Sequence, residues 1–423
     1  MKSSRLIAPS ALWLLLSIVS AASMAHYVTA IWSANQPPGF SDLYAPWWAS
    51  HELLLHRRNP YSSGVAREIQ AIIYGAPVPS SQDDPNGIAG GFAYPPYTTL
   101  LFWPVIHTSF SAAQKIFVGT SVLLTLLSLA LWLSAFRFRL PLAQWLAVAL
   151  FVLGSFPALQ ALKLQSLSLI AAAFIAITLF LLSTGRFVFG GLFLAAATFK
   201  PQFVVALLPW LALWAIADWR HRRSMAWSFL ITMVSLGLIS QWLAPGWIPN
   251  FLNVVRSYRH YTYGHSLLDV WLSPAMGSVV GAFLLLSALA LSWRYRSLPA
   301  DSLGFLSTTS FMLAVNIVVI PTLAPHAQLL LLPGFVCLLC NPISPGSANS
   351  FTRLSCGAVW ILLAWPWIAA FGLLLAGFIY PSASLLRFWQ LPLYTSPVLP
   401  LAVLLALGGL LVGSRDHKHL GKA

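Results

Sequence analysis

Charged residues are rare in this chain. Only 8% of its 423 residues are Asp, Glu, Lys or Arg, whereas about a quarter of an ordinary soluble domain is charged. Hydrophobic residues make up 58% of the sequence. The composition therefore excludes an ordinary soluble fold and predicts an integral membrane protein. Its apolar runs are far longer than the roughly ten alternating residues of a membrane β-strand, so the predicted class is all-α.

Acidic residues and cysteines are scarcer still. Nine Asp and Glu stand against 23 Lys and Arg, which gives a net charge of +14. The basic residues form small clusters between apolar runs, such as RFR, RHRR and RYR, where they set membrane topology rather than bind nucleic acid. Of the three cysteines, Cys337 and Cys340 form a CxxC without a second Cys or His pair beside it, and Cys356 stands alone. Apolar packing is favoured over metal or redox chemistry for them.

Long apolar segments predict one polytopic helical domain that covers residues 1–423. Twelve segments lie near residues 11–31, 113–136, 140–156, 166–184, 187–199, 201–217, 225–243, 268–293, 302–320, 327–341, 355–380 and 395–413. Alternating them from a cytoplasmic N-terminus leaves the basic clusters inside, so both termini are predicted to be cytoplasmic in a bacterial-type inner membrane. The first segment could be a cleaved signal peptide, but its apolar length favours a retained helix.

The long first loop, residues 32–112, is predicted to lie on the outer side. Residues 43–56 and 64–74 are predicted to form amphipathic helices along the membrane surface. The stretch GFAYPPYTTLLFWPVIHTSF is short and interrupted by proline, which predicts a shallow or re-entrant segment at 97–108. The same face collects a set of polar side chains, namely Asp42, Lys163, Gln165, Lys200, Gln202 and His326.

Each of these residues has both a structural and a functional interpretation. Asp42 could be the N-cap of the helix that follows it or a catalytic base. Lys200 precedes Pro201 at a predicted turn between two short helices. It could extend its ammonium to lipid headgroups, but an ionisable group at membrane depth favours function. His326 could be an ordinary interfacial histidine. Contact with anionic lipid is favoured for Arg256 and Arg259.

Several motifs together resemble glycosyltransferase family 87, whose members are membrane enzymes of the GT-C architecture. The resemblance runs from about Gly39 to His326. It is carried by Asp42 with the following WWA, by RNPYS, by FAYPPYTTLLFWP, by LQSLSLIAAAFIA with GGLFLAAATFKPQ, and by LAPHAQLLLLP. Leu164 stands where glycine is usual, and Arg57 stands near a usual glycine. Ser62 replaces a common Asp, and Ala327 with Gln328 replaces a Tyr-Asp pair.

The resemblance implies a bundle of about twelve spanning helices and an inverting transfer from a polyprenyl-phosphate sugar. The sugar would be mannose or arabinofuranose, and the acceptor a lipid-linked or cell-envelope glycan on the outer face. The candidate catalytic residues are Asp42 and His326; the candidate phosphate-binding residues are Lys200, Gln165, Arg58 and Tyr94; the candidate sugar contacts are Trp47, Trp48 and Tyr44. No metal, cofactor or nucleic-acid partner is expected. A flippase or a ligase of lipid-linked glycans is the alternative.

Overall fold

The computed structural model describes residues 11–33, 41–79, 84, 87–88, 90–261, 265–320, 324–341, 350–381 and 395–413. Within these ranges the chain forms helices, turns and loops, without any strand. The predicted all-α class is confirmed.

The α-helices follow one another along the whole described chain. In order they are α1 (Ala11–Ser33), α2 (Tyr44–His56), α3 (Ser63–Tyr74), α4 (Phe110–Ala135), α5 (Leu142–Leu153), α6 (Phe156–Leu164), α7 (Ser168–Ser183), α8 (Phe187–Ala197), α9 (Leu207–Ala217), α10 (Trp219–Leu243), α11 (Trp247–Tyr261), α12 (Leu267–Trp271), α13 (Pro274–Ser292), α14 (Leu303–Val319), α15 (Leu332–Cys340), α16 (Ser350–Ala376) and α17 (Val398–Gly413). Short 3-10 helices cover Pro96–Phe102, Pro201–Phe203, Trp293–Tyr295 and Pro325–Leu331.

Four described helices are long and apolar enough to cross a membrane. They are α4, α10, the segment Pro274–Tyr295 that contains α13, and Ser350–Leu373 within α16. The pair α5 and α6, bent by 53°, is a fifth if it forms one span. Each of the twelve apolar segments contains helix, but twelve spans are not confirmed. A helix of 11 residues, such as α8 or α9, is about 16 Å long, which is half of a hydrocarbon core of about 30 Å.

The first loop forms two helices close to the predicted positions, but only one is amphipathic as predicted. The helix α3 is amphipathic and buries one face, which includes Val65 and Ile69. The helix α2 instead buries residues around its whole circumference, including Tyr44, Pro46 and Leu53. The prediction of a surface helix is therefore wrong for α2, because its aromatic side chains join the main hydrophobic core. The predicted re-entrant stretch begins as a 3-10 helix and continues as turns to Thr108, without an α-helix.

Two adjacent glycines let α8 pack closely between α7 and α10. A Cβ on Gly190 would lie 2.6 Å from a methyl carbon of Leu182 in α7, and a Cβ on Gly191 would lie 2.3 Å from the Met225 carbonyl oxygen in α10. Small residues at such positions allow backbones to approach where larger ones would separate the helices. The pair of glycines therefore fixes the path of α8 toward Lys200.

The helices α8 and α9 fold back on one another with Lys200 in the break between them. The rings of Phe187, at the start of α8, and Trp214, near the end of α9, lie 6.0 Å apart. Pro201 follows Lys200 and begins a 3-10 helix, because a residue before proline is disfavoured in the α conformation. This confirms the predicted turn between two short helices. The turn forms the tip of an α8–α9 hairpin, and its residues contact other segments of the chain.

Arg222 closes the opposite end of this hairpin. Its guanidinium donates to the carbonyl oxygens of Trp214 at 2.6 Å, Arg296 at 2.7 Å, Ser297 at 3.2 Å and Leu298 at 3.0 Å. A planar guanidinium can satisfy several carbonyls at once, which an ammonium cannot do in this geometry. The basic clusters RHRR and RYR therefore meet at the end of the bundle remote from Lys200, as the alternation of segments predicts.

Gly191→Ala should destabilise the protein. The added methyl group meets backbone atoms of α10, and relief requires separation of the two helices, at a cost of about 1–3 kcal/mol. Gly237→Ala in α10 is the matched control, since nothing lies within 4 Å of its added Cβ, and its stability should be unchanged or slightly higher. Thermal unfolding of the purified protein in detergent measures both; an equal response of the two variants would contradict the close packing of α8.

Candidate active site

The ammonium of Lys200 is enclosed by protein. The residue is only 5% exposed, and its Nζ donates to Ser168 Oγ at 2.5 Å and to Ser166 Oγ at 3.3 Å. Its charge also lies 5.0 Å from the centre of the Phe203 ring. Burial lowers the pKa of Lys200 to about 8, although the nearby carboxylate of Asp42 acts in the opposite direction. Lys200 is thus a cation whose charge is easily lost above neutral pH.

The C-terminal end of α6 places polar groups beside this lysine. Ser166 N–H donates to Ala161 O at 2.8 Å, and Gln165 N–H donates to Leu162 O at 3.1 Å. This pair of bonds is a Schellman motif, and it holds Gln165 in the left-handed region at φ 54°. A residue other than glycine pays about 1–2 kcal/mol for that conformation, so the orientation of Gln165 is imposed by the helix end.

Gln165 joins the first loop to the helical bundle. Its Oε1 accepts hydrogen bonds from Ser41 Oγ at 2.5 Å and from Gln114 Nε2 at 3.2 Å. One residue earlier, Leu164 O accepts from the backbone N–H of Asp42 at 2.7 Å. The segment before α2 is therefore held against α6 by both side-chain and backbone contacts.

The Asp42 carboxylate does not cap α2. The N-cap position belongs to Leu43 and has no side-chain cap, while the Leu43 N–H donates to Ser41 Oγ at 3.1 Å. The Asp42 side chain keeps accessible surface, yet surrounding protein atoms desolvate it and raise the pKa of its carboxyl group above the ordinary value, with Lys200 opposing the shift. Asp42 thus combines access to solvent with a raised pKa, and the ammonium of Lys200 is near enough to act on it electrostatically.

His326 reaches the same region from the 3-10 helix Pro325–Leu331, which packs against α6, α7 and α14. Its Nδ1 is buried and makes no hydrogen bond to any residue that the structure describes. The ring lies close enough to Lys200 for the ammonium to act on it electrostatically. The structure thus brings together four residues that were selected from sequence: Asp42, Gln165, Lys200 and His326.

The aromatic residues after Asp42 have mainly packing contacts. Tyr44 and Trp47 are each 7% exposed, and the Tyr44 ring lies edge-on to Phe110 at 5.0 Å. Trp47 Nε1 donates to Val105 O at 3.4 Å. These contacts favour anchoring of α2 over the predicted stacking on a sugar. Trp48 is less buried, and its Nε1 donates to Glu68 at 3.0 Å.

The YPPY turn contacts the site through its second tyrosine. Tyr97 is buried, and its hydroxyl lies 2.9 Å from Thr198 Oγ1, two residues before Lys200. Tyr94, the residue selected from sequence, accepts on its backbone oxygen a hydrogen bond from the Tyr61 hydroxyl at 2.6 Å. The turn therefore braces the hairpin tip, and the predicted phosphate contact of Tyr94 remains a prediction.

Arg58 forms ion pairs with two glutamates. Its guanidinium contacts Glu52 at 2.5 Å and Glu68 at 2.6 Å, so it joins the end of α2 to α3. The predicted phosphate contact of Arg58 is not favoured, because two carboxylates already neutralise its charge.

Sequence reasoning missed the hydroxyl groups of this site. Ser166 and Ser168 bind the Lys200 ammonium, and Ser41 and Gln114 orient Gln165. A usable signal was present in LQSLSL, where two serines interrupt an apolar run beside Gln165. Nothing in the pattern indicates which distant lysine they would contact, since that pairing depends on the tertiary fold.

The family model described as glycosyltransferase family 87 matches residues 92–324, which is more than half of the chain. The chain belongs to glycosyltransferase family 87. The matched region includes Tyr94, Gln165 and Lys200, whereas Asp42 and His326 lie outside it. No curated protein and no solved structure matches the chain.

Membership of family 87 makes the chain a glycosyltransferase, which transfers a sugar from a donor to an acceptor. With its apolar helices of spanning length, it is a membrane protein.

The structure also accounts for one departure from the family pattern. Arg57, which stands near a usual glycine, is the left-handed residue that ends α2, at φ 57°, and this conformation is the one for which glycine is favoured.

Arg58→Met should lower the thermal stability of the protein. The substitution leaves the buried carboxylate of Glu52 without its cation, and an uncompensated buried charge is destabilising. Adding Glu52→Gln removes that charge, so the double variant should recover part of the lost stability. Unfolding midpoints of the two single variants and the double variant test this; strictly additive losses would show that the ion pair contributes nothing.

Proposed function

We propose that the chain is an inverting transferase of GT-C type that moves one sugar from a polyprenyl phosphate to a glycan acceptor. The acceptor is a lipid-linked or cell-envelope glycan, and the sugar is mannose or arabinofuranose. The reaction takes place on the outer side of the plasma membrane, with both termini in the cytoplasm.

One observation carries this proposal. An accessible carboxylate without a hydrogen bond to the described residues, Asp42, faces a buried cation, Lys200, at the end of the bundle opposite the basic clusters. Direct displacement of a phosphate from a sugar needs a proton acceptor and a positive charge near each other, one for the attacking hydroxyl and one for the departing oxygen. These two groups supply that combination.

Asp42 is the proposed general base. The acceptor hydroxyl attacks the anomeric carbon while its proton passes to the Asp42 carboxylate. The bond between the anomeric carbon and the phosphate oxygen breaks, and its electron pair leaves with the polyprenyl phosphate. Partial desolvation favours this role, because a raised pKa brings the carboxyl closer to the pH at which an efficient base works.

The leaving phosphate is the proposed ligand of Lys200, His326 and Gln165. Lys200 provides the positive charge, while Ser166 and Ser168 fix the position of its ammonium. The Nε2 of Gln165 and the Nδ1 of His326 are both buried without a hydrogen-bond partner among the described residues. Such groups are costly to leave unpaired, and phosphate oxygens would satisfy at least the amide N–H of Gln165.

A lipid-linked donor fits the composition of the surroundings. The matched segments contain no phosphate-binding loop of the GxxxxGK[ST] kind that nucleotide-binding proteins use. The helices beside the site expose large apolar side chains, such as Val188, Phe189 and Leu192 on α8. A donor with its isoprenoid chain among these helices would bring its phosphate to the polar end of the bundle.

Asp42→Asn should abolish transfer while donor binding and thermal stability remain near those of the unsubstituted protein. The amide cannot accept the proton, but the Asp42 N–H to Leu164 O bond does not depend on the side chain. The assay uses detergent-purified protein, a panel of polyprenyl-phosphate sugars and a membrane extract as acceptor. Asp301→Asn, which alters an exposed carboxylate paired with Arg137 at the other end, is the control and should retain transfer.

Two results would contradict the proposed function. Normal turnover by Asp42→Asn would remove the base from the mechanism. Absence of transfer from every donor, combined with movement of donor across liposomes that contain the protein, would instead favour a flippase.

The pH dependence of kcat/KM should be bell-shaped. Activity should rise with pH as the Asp42 carboxyl loses its proton, at a pH above the ordinary Asp range, and fall through about pH 8 as Lys200 loses its charge. Lys200→Arg should move the falling limb to higher pH, because a guanidinium stays charged. Lys115→Arg is the control. A falling limb at the same pH in Lys200→Arg would show that another group is responsible.

A further inference from the structure

The last turns of α2 gather three side chains that have no part in the proposed transfer. The donor atoms of His51, Glu52 and His56 all lie within 4.8 Å of one another. We propose that this trio binds one divalent transition-metal ion of the zinc class. No metal is expected from the sequence pattern, and these three residues are not among the site residues it predicts.

The ligand set is suited to zinc. Imidazole nitrogens and a carboxylate oxygen are ordinary zinc ligands, and two histidines with one glutamate leave a fourth position for water or another ligand. Ligand atoms about 2.0–2.1 Å from a tetrahedral zinc lie about 3.4 Å apart. His51 Nδ1 and Glu52 Oε1 are already 3.2 Å apart, so two ligands stand at the required separation.

His56 supplies the third ligand. Its ring centre lies 5.2 Å from that of His51, and the residue is exposed at the end of α2. Its ligand atom lies no more than 4.8 Å from the other two, and rotation of the exposed side chain can bring it to the separation of about 3.4 Å that tetrahedral zinc requires. The carbonyl end of a helix also carries partial negative charge, which favours a cation at this position.

Neighbouring residues already orient two of the three ligands. Arg58 holds the second oxygen of Glu52 at 2.5 Å and leaves Oε1 free to face His51. The ring of Trp48 stacks on His51, with centres 5.3 Å apart and planes 9° from parallel. Trp48 Nε1 and Arg58 both donate to Glu68, which links the two supports. Contacts of this kind fix the orientation of metal ligands and strengthen binding.

The ion would not take part in transfer. The helix α2 begins two residues after Asp42, and His51 lies seven residues into it, which is about 10 Å along the helix axis. All three ligands lie on α2, so the ion would fix the end of the helix that precedes Arg57 and its left-handed turn.

Metal binding can be measured without any activity. Protein that carries no polyhistidine tag is stripped with chelator and titrated with Zn²⁺ by calorimetry, and with Co²⁺ by visible absorption. We expect one ion per chain, with a Co²⁺ spectrum of nitrogen and oxygen ligands. His56→Ala, an exposed change that does not disturb the Arg58 contacts, should weaken binding at least tenfold, and His51→Ala should act similarly. His107→Ala replaces an exposed histidine elsewhere and should bind as the unsubstituted protein does.

Three outcomes would overturn the site: no zinc binding by the unsubstituted protein, equal binding by His56→Ala and the control, or a thiolate charge-transfer band with Co²⁺ that disappears in Cys337→Ser. The last would assign the ion to the cysteines. None of these results depends on the proposed function, since failure of transfer in Asp42→Asn is measured separately.

Discussion

An ammonium ion enclosed in a largely apolar helical bundle needs oxygen atoms close to it, and this requirement organises the site. Lys200 obtains them from Ser166, just before α7, and from Ser168, its first residue, and it lies within electrostatic reach of Asp42. Each partner comes from a different part of the chain. Satisfying one buried charge therefore brings the first loop, the break between α6 and α7, and the tip of the α8–α9 hairpin to one place.

Short, interrupted helices make this arrangement possible. A continuous helix hydrogen-bonds its own backbone groups and presents only side chains to its neighbours. The ends of α6 and α8 instead present carbonyl oxygens and an amide side chain in a fixed conformation, because a Schellman turn at Gln165 and the proline after Lys200 stop each helix. The same interruptions explain why few of the apolar segments reach the length of a full span.

Much of the architecture could be predicted from composition and periodicity. The all-α class, the helices of the first loop and the turn at Lys200 follow from apolar length, proline position and the scarcity of charge. The burial of α2 could not be predicted, because its WW pair has the same sequence signature in a core and at a membrane interface. The choice of Asp42, Gln165, Lys200 and His326 depended on motif resemblance together with their shared face. Arg58 and Tyr94 illustrate the limit, since a motif identifies a position but not the partner that the fold gives it.

The hydrogen bond from the Asp42 N–H to the Leu164 carbonyl oxygen positions residue 42 through backbone atoms alone, without its side chain. Any amino acid except proline offers the same backbone donor, so the register between the first loop and α6 is set independently of what the side chain at position 42 can do. Such a position tolerates chemical variation without losing alignment, so a set of side chains of graded basicity placed there would report on proton transfer alone.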